Sequence, residues 1–148
     1  MTGGATSKSM TGPRSLIPRN KHDIERVAAL LELGYPAVEP VLPQLLEWTQ
    51  DPNWPVAMPL CTFLAAIGAP VVSHVAAILD GSDGGWKYSC IHFIVMKMHP
   101  ETAIALIPVL ERLVTAPAPN DVREEVNLAA QEALDWLAGA NSRKFSRR

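Results

Sequence analysis

Apolar residues in this chain recur at spacings of three and four through seven successive segments, with no sustained alternation at a spacing of two. Spacings of three and four place side chains on one face of an α-helix, whereas a half-buried strand needs strict alternation. The chain is therefore expected to be all-α. Ile24, Val27, Ala28 and Leu31 make the face of a first helix, which Gly34 stops. Val38, Val41, Leu42 and Leu45 make a second, entered through Pro36, and Leu60, Phe63, Leu64 and Ile67 a third, ending at Gly68. Val71, Val75, Ile78 and Leu79 make a fourth, ending at Gly81, and Ile91, Ile94, Val95 and Met98 a fifth. Ala103, Ile107, Leu110 and Val114 make a sixth, entered through Pro100, and Val122, Val126, Ala129 and Ala133 a seventh.

These segments repeat as pairs. Leu42-Pro43-x-Leu45 and Ile107-Pro108-x-Leu110 lie 65 positions apart, with Val75-x-x-Ile78 between them, and Asp51-x-x-Trp54 and Asp83-x-x-Trp86 lie 32 apart. A period near half of 65 is the signature of a helical solenoid, in which no hairpin buries its apolar face alone. The expected architecture is about three stacked hairpins plus a C-terminal capping helix. The polar residues Arg123, Glu124, Glu125, Asn127, Gln131, Glu132 and Asp135 supply the outer face such a cap needs. Pro40, Pro43, Pro59 and Pro108 are expected to kink their helices, because each removes a helix hydrogen bond.

At 148 residues the chain fits one domain. Residues 1–15 and 141–148 are polar and aperiodic, and are expected to be a disordered extension and a disordered basic tail around a domain at 16–140. Met1 to Ser15 has no apolar core of a signal peptide. Val56 to Leu79 carries no charged side chain, but Pro59, Gly68-Ala69-Pro70 and His74 interrupt it, so it reads as two short buried helices rather than a membrane span. Two cysteines, Cys61 and Cys90, cannot build a disulfide framework. Inside apolar runs they are expected to be buried reduced thiols, which fits the cytoplasm.

The net charge of −2 conceals a segregation. Eight of 13 basic residues (Lys8, Arg14, Arg19, Lys21, Arg143, Lys144, Arg147 and Arg148) lie near the ends, while all 15 acidic residues lie between Asp23 and Asp135. Within that interval only Arg26, Lys87, Lys97, Arg112 and Arg123 oppose them, a net charge of −10. Such a body repels nucleic-acid backbones and steers basic partners toward itself.

Paired helices, proline-bent helices and an Asp near a helix start (Asp121-Val122-Arg123) resemble HEAT repeats. Residues 16–23 (LIPRNKHD), 47–56 (EWTQDPNWPV) and 86–88 (WKY) are more specific, and resemble a bacterial family catalogued as domain of unknown function 5071. The resemblance covers roughly Leu16 to Leu137. It implies a HEAT-like fold and a bacterial source, and it brings no activity with it.

The chain shows no catalytic constellation, and no cofactor or metal is expected. His92 and His99 are seven residues apart, which is about 10 Å of helix rise and too far for one ion. There is no HExxH or CxxC motif. Cys90 and His92 face different ways at a spacing of two. Glu124 and Glu125 are expected in a helix first turn, where anions favour the dipole, and Asp80 and Asp83 flank a Gly-Ser turn.

The Asp-x-x-Trp pair is the sharpest feature. Asp51 or Asn53, and Asp83, read structurally as helix caps, with the tryptophans filling junctions between repeats. Read functionally, Trp54, Trp86 and Tyr88 share one partly exposed edge and, with Asp51, Asn53, Asp83 and Lys87, form a partner-binding patch. The expected function is a non-enzymatic protein-binding module of the bacterial cytoplasm with a basic protein as partner, an adaptor or toxin-neutralising protein. The alternative is a HEAT-like enzyme acting on nucleic acid or a small molecule, which would need a cationic groove or a polar-lined pocket.

Overall fold

The computed structural model describes residues 12–146, and side-chain surroundings for residues 12–140. Every regular element among the described residues is helical. In chain order the α-helices are α1 (Ile24–Leu33), α2 (Leu42–Glu47), α3 (Ala57–Ile67), α4 (Ala69–Leu79), α5 (Gly84–Phe93), α6 (Pro100–Ala103), α7 (Ile107–Thr115), α8 (Pro119–Arg123) and α9 (Val126–Ser146). Short 3-10 turns cover Pro13–Leu16, Glu39–Val41, Val95–Lys97 and Ile104–Leu106. Among the described residues no helix is long and apolar enough to cross a membrane. The expected extension at 1–15 overlaps this description only in its last residues, and the side chains of the expected tail lie outside it.

The chain divides into two compact units, and the division between Leu60 and Cys61 falls inside α3. In the first unit Val27, Leu30, Val38, Val41, Leu42, Leu45, Leu46, Val56 and Leu60 are buried. Gly34 ends α1 at φ 73°, a left-handed conformation that costs glycine nothing, and its N–H closes the helix on the Leu30 carbonyl at 2.9 Å. In the second unit α9 packs most extensively on α7 and next on α5. The residues it buries are small: Ala129, Ala130 and Ala133, with Val126 and Leu137. Alanines let helix axes approach closely, while Gln131, Glu132 and Asp135 stay exposed on the other side.

Four local expectations are corrected. The prolines do not bend continuous helices. Pro40, Pro43, Pro70 and Pro108 stand at the first or second position of their elements, and Pro59 at the third of α3, where an N–H has no intrahelical partner to lose. Pro43 and Pro108 instead mark where a new helix begins after a 3-10 turn, so the predicted sixth helix is three pieces. The two Pro motifs 65 positions apart thus adopt the same local structure, a three-residue 3-10 turn followed by a helix with Pro second.

The seventh segment is also broken. Glu124 and Glu125 stand not in a first turn but between α8 and α9, with Glu125 at φ 63°. Upstream of that break Val122 is 52% exposed instead of continuing the buried face of Val126 and Ala129. The first helix, finally, buries a different face from the one its spacing suggested. Val27 and Leu30 are inside with the Asp23 carboxylate, whereas Ile24, Ala28 and Leu31 face solvent. α1 is apolar on two adjacent stripes, and spacing alone cannot choose between them.

Candidate protein interface

The two Asp-x-x-Trp motifs fall in different units and fold differently. In the first unit Asp51 caps a turn rather than a helix: its Oδ1 accepts the Asn53 N–H at 2.9 Å and its carbonyl accepts the Trp54 N–H at 3.1 Å. α3 begins only at Ala57, after Pro55. Asn53 is exposed, and Trp54 is half-buried with its ring 5.6 Å from that of Trp48 at an interplanar angle of 59°. Such tilted pairing fixes the ring while leaving part of it at the surface.

In the second unit Asp83 is the N-cap of α5, its Oδ1 accepting the Trp86 N–H at 3.0 Å, as its position before the helix predicts. Trp86 and Tyr88 are half-buried. Tyr88 meets His92 edge-on, with centroids 4.4 Å apart. His92 Nε2 lies 2.9 Å from Glu132 Oε1 on α9. His99 Nδ1 accepts the Glu101 N–H at the start of α6, so both histidines have local partners.

Lys87 does not belong to a surface patch. It is buried, and its Nζ donates to Asp121 Oδ1 at 2.8 Å, with both side chains 4% exposed. Asp121 Oδ2 accepts the Ala118 N–H at 2.9 Å, so the same carboxylate also closes the first turn of α8. One residue further back Asn120 Oδ1 accepts the Gly84 N–H at 2.9 Å. A Cβ on Gly84 would lie 2.5 Å from that oxygen, so only glycine lets α5 and α8 approach this closely. The sequence marks Asp121 only as a helix-start residue. A signal for its pairing was nevertheless present: Lys87 stands three residues from Cys90 and four from Ile91 on a buried face, and a charge placed there needs a countercharge.

Both cysteines are buried. Burial pushes the Cys61 thiol up to about 11, and raises Cys90 further, with Cys61 adding to the rise. Neither is a thiolate at neutral pH, so neither is an activated nucleophile.

Residues 16–141 match the profile of a family described as "Domain of unknown function (DUF5071)". No curated protein matches the chain.

Proposed function

Because this chain belongs to that domain family of unknown function, we propose its role from its own surface: a non-enzymatic protein-binding module of HEAT-like helical hairpins, working in the bacterial cytoplasm on a basic protein. An adaptor or toxin-neutralising role is the concrete form of this reading. One observation carries it. Of the 15 carboxylates all but Asp23, Asp51 and Asp121 are exposed, whereas of the five body cations only Lys97, Arg112 and Arg123 are. Arg112 Nη2 is itself held by Asp80 Oδ1 at 2.7 Å. Between Asp23 and Asp135 exposed carboxylates therefore far outnumber exposed cations, which favours a basic partner and opposes nucleic acid.

The half-buried rings support contact surfaces on each unit separately: Trp54 beside exposed Asn53 in the first, Trp86 and Tyr88 beside exposed Asp83 in the second. Aromatic anchors rimmed by polar groups are what interface hot spots are made of. The test is capture of basic proteins from the source cytoplasm by the full chain over a salt series, repeated with Trp54→Ala and Trp86→Ala. The reading requires a salt-sensitive partner that at least one tryptophan variant loses. Acrylamide quenching of each tryptophan is the cheaper check, and complete protection of both rings ends their part in it.

A further inference from the structure

Helix α1 carries an apolar stripe that no described residue of the first unit covers. Ile24, Ala28 and Leu31 follow one another at spacings of four and three, and all are exposed, Ile24 to 54% and Leu31 to 41%. Such spacing aligns side chains along one line of a helix. Tyr35, 42% exposed, stands just past the Gly34 cap, its hydroxyl donating to Glu39 Oε1 at 3.2 Å. Single exposed apolar residues are ordinary, but a continuous line of them marks an interaction surface.

One edge of this stripe is acidic. Glu25 and Glu32 are exposed, seven residues apart, each directly after a stripe residue. Lys21 precedes the helix. The opposite edge is closed, because Val27 and Leu30 turn inward there. In helix pairing, the charges that flank an apolar seam select the partner and its direction. An antiparallel second copy of α1 would set the Glu25–Glu32 edge against the same edge of its partner, glutamate against glutamate. A helix with an apolar ridge and a lysine or arginine edge meets both features. We propose that the Ile24–Ala28–Leu31 stripe with its Glu25–Glu32 edge is the docking surface for a basic amphipathic helix of a partner protein. This rests on the acidic protein-binding reading, and adds to it a contact on α1.

The test uses the full chain and a labelled synthetic peptide of leucine and lysine patterned as an amphipathic helix, beside a scrambled peptide of the same composition. The patterned peptide binds wild type, and Leu31→Ser weakens it by about tenfold or more. Glu25→Lys/Glu32→Lys weakens it similarly at low salt, and gains binding to a peptide whose lysines are replaced by glutamate. All three positions are exposed, so circular dichroism of each variant matches wild type. Equal binding of the patterned peptide by wild type and Leu31→Ser overturns the stripe while leaving an acidic binding module standing. Equal affinity for patterned and scrambled peptides overturns the helical partner. No binding of either lysine peptide overturns both readings. A wild-type dimer in sedimentation that Leu31→Ser dissolves overturns the chosen occupant in favour of a second copy.

Discussion

Glu125 is held in a backbone conformation that its type disfavours, and Asp23 has its carboxyl pKa shifted by its neighbours. Glu125 sits at φ 63° in the joint between α8 and α9, its N–H reaching the Val122 carbonyl at 3.1 Å. A left-handed conformation costs an L-residue about 1–2 kcal/mol, and glycine escapes most of that at some entropic cost. Glu125→Gly is therefore expected to raise stability by about 0.5–1 kcal/mol, read from urea unfolding; a loss would mean the glutamate side chain supports the joint. No sequence signal marks this site, since helix C-termini of this kind usually carry glycine or asparagine. Asp23 is the second case. The Arg19 backbone N–H, at 3.0 Å, and then its guanidinium at 3.1 Å hold the carboxyl below the usual aspartate range, against the burial that pushes it up. A carboxyl depressed by folding stabilises above its unfolded pKa, and that contribution is lost as pH falls through the folded value. Asp23→Asn should lower the melting temperature at neutral pH. The gap to wild type should close as pH drops below the ordinary aspartate range; a gap constant with pH would assign the effect to hydrogen bonding rather than charge.

At the scale of elements, apolar spacing made the helices legible and failed where two faces competed or the backbone broke. Leu64 was expected at the centre of α3 and is fully buried. Leu64→Ala should cost about 2–5 kcal/mol, and a near-neutral result in denaturant unfolding would show that its surroundings collapse onto the gap. The joint between α5 and α8 was not legible, because it depends on a long-range pair. There Gly84 admits Asn120, and Lys87 meets Asp121 out of water. Removing one member leaves the other charge buried alone, which costs about 3–5 kcal/mol. Lys87→Ala should show that loss. Lys87→Met combined with Asp121→Asn removes both charges and keeps an acceptor for the Ala118 N–H, so it should regain most of it. If Lys87→Ala costs no more than a surface pair, about 0–1 kcal/mol, the ammonium reaches water and the joint is held by packing alone.

Across the whole molecule, charge placement was the property most fully written in the sequence, because it needs no fold to be counted. What the sequence could not give is which charges folding hides. Among the described residues the buried cation is Lys87, which the expected aromatic patch places at the surface. Along the sequence the acidic residues lie between basic terminal stretches, with a sequence pI near 6.1. At that pH positive and negative charges cancel in sum and not in place. Two molecules can then approach with a cationic stretch of one against carboxylates of the other, an attraction that a well-mixed charge pattern would average away. Screening shortens from about 30 Å at 0.01 M salt to about 8 Å at 0.15 M. Light scattering at pH 6.1 should therefore show net attraction at low salt that weakens at 0.15 M. At pH 8.5, where the net charge is negative, the low-salt interaction should be repulsive and salt should reduce the repulsion. Attraction at pH 6.1 that ignores salt would contradict the electrostatic account. It would point to apolar association through a surface such as the α1 stripe, which Leu31→Ser would then abolish.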